Sequence, residues 1–470
     1  MTLIPDMDAI STAEKIKNGQ LTSTEITTAY INQINTVNPS INAMVESRFT
    51  AALNEAAHAD EQINRGETTG PLHGVPISVK EAFNVSGMKT TGGLEHRQDL
   101  IAKSDANVVT KLKDAGAIIL GKTNTPALSF CQETENKLYG RTNNPWDYKR
   151  TAGGSSGGEG ALLAAGGAAA GIGSDVGGSI RIPSHFNGVV GFKPAKDMVS
   201  DAGMFPMLEH PLQRRMLSVG PMGKSVRDMK LLYEIISGQP LISKTPSDIE
   251  ISILPAEGNY PIAKHTQKLL HSLQAFLRED YVTRQETPPF FDDSALLWAE
   301  IMATGGSKQV EDEAYHNDRS HVAISFLKEK LTERTNVHPY LSWAILAAKF
   351  AKPSNKRVRE IKHILHQNDA YLSQYLQRSV LIFPVYHTGA LQHGKVFKEL
   401  FSIRKTFLQY MPFVAYANVW GLPSLSLPVG VDENDMPISI QLMSATGNED
   451  VLFQLGTLIE ERYRGYIRCK

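Results

Sequence analysis

From Gly153 to Phe192 the chain alternates glycine-rich loop, helix and strand in short apolar runs, which restricts it to a layered α/β domain. Residues 151–181 carry the densest part of that pattern. They run from Thr151-Ala152-Gly153-Gly154-Ser155-Ser156-Gly157-Gly158, through an Ala/Gly/Leu run, to Gly177-Gly178-Ser179-Ile180-Arg181. The rest of the chain fits the same architecture. Residues 8–64 read as helices, and Thr22 with Glu25 has the spacing of a capping box. Val75–Val79 reads as a buried strand ended by Lys80. Residues 107–115 read as a helix, and Ala117–Leu120 as a strand. Strand-like segments return at 380–383, 424–429 and 438–442, with a turn at 431–435, and complete the sheet begun near Val75.

Between these blocks, residues 241–380 are more polar and read as mostly helical, with Leu269, Leu273, Phe276 and Leu277 on one helical face. This region is either a set of surface helices on the common core or a cap that shapes a substrate channel. The chain holds no linker and no repeat, so residues 1–470 are expected to form one domain.

The 470 residues are 41% hydrophobic, enough for a large core, and the net charge of −1 gives no pull toward nucleic acid or an anionic membrane. Cys131 and Cys469 form neither a disulfide framework nor a metal-ligand spacing. No segment reads as a signal peptide or a transmembrane helix. A soluble, cytoplasmic protein is expected.

The chemistry is read from three places. In Asp175-Val176-Gly177-Gly178-Ser179, two glycines allow a tight turn with several N–H groups facing one way. Such a nest can hold the oxyanion of a tetrahedral intermediate, a contribution of about 3 kcal/mol per donor. The serine at its end is placed to act as a nucleophile. Ser155, between two glycine pairs, both donates and accepts hydrogen bonds and can pass a proton onward. Lys80 has largely apolar neighbours in Pro76, Ile77, Val79, Ala82 and Phe83, and poor solvation favours its neutral, basic form. A lone strand-end lysine more often pairs with a neighbour such as Glu81 or reaches water. Together the three suggest a serine nucleophile relayed through a second serine to a lysine base, and hence amide hydrolysis.

These segments resemble the amidase signature family of serine hydrolases. The resemblance rests on Gly153–Ala161 and Gly173–Arg181, with further matches at Gly74–Glu81, Gly121–Asn124, Asn144–Asp147, Asn418, Gly421–Pro423 and Pro437. It runs from about residue 8 to 462. It implies an α/β fold with a mixed β-sheet covered by helices on both faces. It also implies a Ser-Ser-Lys triad, with Ser179 as nucleophile, Ser155 as bridge on a cis peptide bond, and Lys80 as base. The backbone N–H groups of Val176, Gly177, Gly178 and Ser179 are implied as the oxyanion hole, and Ser156, Asp175 and Arg181 as supports. Thr151-Ala152 departs from the family's usual pair before the glycines but removes no catalytic atom.

Ser129 and its neighbour Phe130 are implied as substrate-binding residues; by their apolar character Phe130, Met204, Phe205, Met207 and Leu208 either make that pocket apolar or pack in the core. Glu159-Gly160-Ala161 resembles fatty acid amide hydrolases and other free-standing amidases. Two alternatives stay open. One is the amidase subunit of a tRNA-dependent glutamyl/aspartyl amidotransferase, whose usual Tyr-Gly after Lys-Pro-Thr is replaced here by Phe192-Lys193-Pro194-Ala195-Lys196-Asp197. The other is a catalytically silent binding protein on the same fold. The expected partner is a small-molecule amide, with no nucleic acid, no cofactor and no metal; a homodimer is left open. The Walker-like spelling Gly116–Thr123 reads as an apolar strand, not a phosphate loop. His387 and His393 read as surface or channel residues.

Overall fold

A computed structural model describes residues 3–67, 69–244, 249–316, 322–332 and 336–469. Among them, eleven strands form one mixed sheet. In chain order they are β1 (Met44–Ser47), β2 (Pro76–Lys80), β3 (Ile118–Thr123), β4 (Ala170–Asp175), β5 (Val190–Lys193), β6 (Ser218–Gly223), β7 (Glu250–Ile253), β8 (Val282–Gln285), β9 (Ser379–Pro384), β10 (Ser424–Val431) and β11 (Pro437–Met443). Across the sheet the order is β1-β3-β2-β4-β6-β5-β10-β11-β9-β7-β8. β2 runs parallel to both β3 and β4, β7 runs parallel to β8 and β9, and the other pairings are antiparallel.

Helices cover both faces, and β5 shows how, because consecutive strand residues point to opposite sides. A side chain on Gly191 would collide with Ser184 of the helix Arg181–Asn187. On the other side, Phe192 packs edge-on against Tyr233 and at a tilt against Phe453, from the helices Val226–Ser237 and Glu449–Arg462. The central strands are buried along their whole length, as the apolar runs at Val75 and Ile118 predict. The expected capping box is present: Thr22 Oγ1 accepts from the Glu25 N–H, and Glu25 returns the bond to the Thr22 N–H.

Within the Gly116–Thr123 segment, Gly116 closes a turn and Ile118–Thr123 is strand, with the Lys122 ammonium on the Lys89 carbonyl and Thr90 rather than at the end of a phosphate loop. The region 241–380 is mostly helical as expected, but it also contributes β7 and β8 at one edge of the sheet, which its polar composition concealed. Among the described residues no helix is long and apolar enough to cross a membrane.

The helix Gly157–Ala164 lies close against the sheet, so its glycines have no space for a side chain. A Cβ on Gly158 would run into the backbone of Asn124. Gly158→Ala is therefore expected to cost about 1–3 kcal/mol of stability, read as a lowered denaturation midpoint; an unchanged midpoint would contradict this packing.

Candidate active site

Three parallel strands and two glycine-rich loops bring the functional side chains together. Lys80 is the last residue of β2 and is completely buried. Its Nζ donates to Ser155 Oγ at 2.7 Å and to Ser174 Oγ at 3.0 Å. Glu81 is turned away: its carboxylate accepts from the N–H groups of Thr91 and Gly92 and from the Thr91 hydroxyl. No carboxylate lies within ion-pair distance of Lys80 among the described residues. Loss of hydration therefore dominates. It pushes the amine down to about 7, although Asp175, Glu81 and Glu159 pull the other way.

Ser155 sits on a cis Gly154–Ser155 peptide, just before the helix Gly157–Ala164. The two glycine-rich loops are tied where the Ser156 N–H donates to the Ser179 carbonyl at 3.1 Å. Ser156 Oγ lies 3.4 Å from both the Ser174 N–H and the Ser174 carbonyl. Ser155, Ser174 and Ser179 border one cavity. The hydroxyls of Ser155 and Ser179 are not hydrogen-bonded to each other, and among the described residues no protein group binds the Ser179 hydroxyl.

The loop after β4 is held from beneath by a buried ion pair. Arg181 Nε meets Asp175 Oδ2 at 3.1 Å with both side chains fully buried. The guanidinium also donates to Gln441, Asn418 and the Val414 carbonyl. Asn418 donates to Asp175 in turn. Burial alone would raise the Asp175 carboxyl, but Arg181 overcomes it and holds the carboxyl well below its ordinary range.

The same carboxylate accepts from the Gly178 N–H at 2.8 Å. This corrects one expectation: the Gly178 N–H is already occupied and is not free for an oxyanion. The carbonyl of Val176 is held by Trp298 Nε1 and that of Gly177 by Gln132 Nε2, each at 2.8 Å. In a trans peptide the carbonyl and the next N–H point oppositely, so these two contacts fix how the Gly177 and Gly178 N–H groups are aimed. Among the described residues the N–H groups of Val176, Gly177 and Ser179 have no protein acceptor.

The cavity holds about 530 Å³ and is walled largely by apolar side chains. Phe130, Trp298, Tyr340, Trp343, Phe401 and Phe407 supply the aromatic wall, and Arg404 is the one charged residue among the lining residues described. Ser129, Phe130, Met204 and Leu208 line it as expected. Phe205 and Met207 do not: Phe205 lies under the Arg97 guanidinium, and Met207 is 62% exposed. His387 pairs with Glu399 and His393 bonds the Tyr148 carbonyl; neither lines the cavity. Ser174, Gln132 and Trp298 escaped the sequence reading. For Ser174 the one signal was its place just before Asp175 in a strand of small residues; Trp298 and Gln132 offered none.

Residues 25–453 match the Amidase family. The chain is 32% identical to fatty-acid amide hydrolase 2-B of Danio rerio over 98% of this chain and 90% of that one. It is 28% identical to a glutamyl-tRNA(Gln) amidotransferase subunit of Prochlorococcus marinus over 96% of each. A solved amidase crystal structure superimposes with a TM-score of 0.80 at 27% identity, covering 97% of this chain and all of the other. The chain therefore belongs to the amidase family. It is a hydrolase that cleaves amide carbon–nitrogen bonds.

Removing the cation beneath the loop leaves a buried carboxylate unpaired. Arg181→Met is expected to lower stability by about 3 kcal/mol or more, measured by chemical denaturation; wild-type stability in that variant would contradict the role given to the pair.

Proposed function

We propose that the chain hydrolyses carboxamides with a bulky apolar acyl part through a Ser179–Ser155–Lys80 relay. The observation that carries the reading is the 2.7 Å contact between Ser155 and a fully buried lysine amine, which burial pushes down to about 7, at the polar end of an apolar cavity bordered by Ser179. With substrate bound, Ser179 Oγ attacks the carboxamide carbon. Its proton passes to Ser155 as the Ser155 proton passes to neutral Lys80. The free N–H groups of Val176, Gly177 and Ser179 stabilise the oxyanion. Collapse of the intermediate breaks the carbon–nitrogen bond, and the proton returns through Ser155 to the leaving nitrogen. A water molecule, deprotonated along the same route, then hydrolyses the acyl-enzyme to carboxylate. Hydrogen bonds of this kind are often open in an unliganded site and close in the substrate complex, which fits the separate Ser155 and Ser179 hydroxyls.

The cavity wall favours this substrate class over the amidotransferase reading. Glutamine would carry an ammonium and a carboxylate into the site, and burying such charges without partners is costly. Among the described residues lining this cavity, Arg404 is the one charged group. Residues 192–197 depart from the amidotransferase pattern as well. A silent binding protein is disfavoured because the lysine and both serines are retained. The region 241–380 supplies Trp298, Tyr340 and Trp343 to the wall, which supports its role as a cap shaping the substrate channel. Two unpaired cysteines fit a cytoplasmic setting.

Ser179→Ala should abolish labelling by a fluorophosphonate while leaving the fold intact; labelling of the variant would remove Ser179 as nucleophile. Lys80→Ala should lower kcat by at least ~100-fold, and unchanged turnover would remove Lys80 from the relay. Because the amine is protonated below about pH 7, kcat/KM should fall about tenfold per pH unit on the acid side. A profile flat to pH 5 would contradict a neutral lysine base.

A further inference from the structure

Beneath Lys80 lies a fully buried carboxyl that, among the described residues, has no cation in contact with it. Glu159 is the third residue of the helix Gly157–Ala164. Its carboxyl accepts hydrogen bonds from Ser78 Oγ and from Thr123 Oγ1. Ser78 precedes Lys80 by two residues in β2, so both side chains leave the same face of the sheet. Thr123 is the residue paired with Lys80 in β3. Gly171, paired with Ser78 in β4, completes the recess, because any side chain there would collide with the Glu159 carboxyl. Three adjacent strands thus supply two hydroxyls and one missing side chain to house a single carboxyl next to the relay amine.

Three carboxyls act on Lys80: Asp175 from β4, Glu81 from the end of β2, and Glu159 from the helix. The first two are compensated elsewhere. Asp175 is paired with Arg181, with Lys193 also acting on it. Glu81 is held by the Thr91 and Gly92 N–H groups, and Lys122 acts on it. Among the described residues Glu159 has two hydroxyl partners, and the basic group acting on it is Lys80.

We propose that Glu159 is a positioning residue for amide hydrolysis: its charge, held in the Ser78–Thr123–Gly171 recess, raises the pH at which Lys80 becomes a base. The proposal rests on Lys80 being the relay base. Burial pushes Glu159 up to about 7 and Lys80 down to about 7, so both protonation states fall in the working range. An ionised Glu159 favours the ammonium, and a neutral one favours the free amine.

The test is the kcat/KM profile of Glu159→Gln, which keeps the shape of the side chain and loses its charge. The acid limb should move to lower pH by at least about half a unit, so that the fraction of plateau activity kept at pH 6 rises about threefold. A folded variant whose limb stays at the wild-type pH overturns the proposal. Should Glu159→Gln fail to fold, Ser78→Ala serves instead. It removes one donor to the carboxylate, makes Glu159 harder to ionise, and should move the limb the same way by a smaller amount; an unmoved limb there also overturns the proposal. Failure of the relay assignment looks different, because Lys80→Ala would then keep its turnover whatever the Glu159 variants do.

Discussion

The site depends on one lysine amine kept out of water. Lys80 reaches the end of a fully buried strand, and its ammonium would need hydration or a carboxylate to be stable there. Among the described residues it has no carboxylate in contact; its partners are two serine hydroxyls. Desolvation therefore outweighs three more distant carboxyls and pushes the amine down to about 7, which is what the proposed role as base requires. Parallel pairing of β2 with β3 and β4 is what makes this possible. It sets Ser174 beside the amine and aims the loop after β4 at the same cavity.

The second constraint is rigidity in the loop that follows β4. A buried arginine and carboxylate hold it from below, and Trp298 and Gln132 hold its carbonyls from the sides. The Gly178 N–H is consumed by this scaffolding, while its neighbours stay free toward the cavity. Charge is thus used in two ways within a few residues. Asp175 and Arg181 are tightly compensated and fix geometry, whereas Lys80 is left uncompensated and can titrate.

The glycine-rich loops and the central strands were legible because glycine, serine and strand-forming residues lie next to one another in the chain, whereas Lys80, distant in sequence from Ser155, was joined to them by the family resemblance, and the structure brings the two within 2.7 Å. What escaped has physical reasons. β7 and β8 are four-residue strands at a sheet edge, and β8 (Val-Thr-Arg-Gln) carries mostly polar side chains because little covers it. Trp298, Tyr340 and Trp343 sit on helices whose apolar residues follow the same spacing whether they face a core or a cavity. Phe205 and Met207 were expected in the pocket from composition, but the chain there turns after Met204, leaving one under Arg97 and the other in solvent. The engagement of Gly178 depends on where the Asp175 carboxylate points, which spacing does not encode.

The most direct measurement is the titration of Lys80 itself, followed by NMR in enzyme carrying 15N-labelled lysine side chains, with Lys80→Met to assign the signal. The account predicts a midpoint near pH 7, well below that of the exposed lysines. A Lys80 midpoint near 10 would show a hydrated or ion-paired ammonium and contradict the relay.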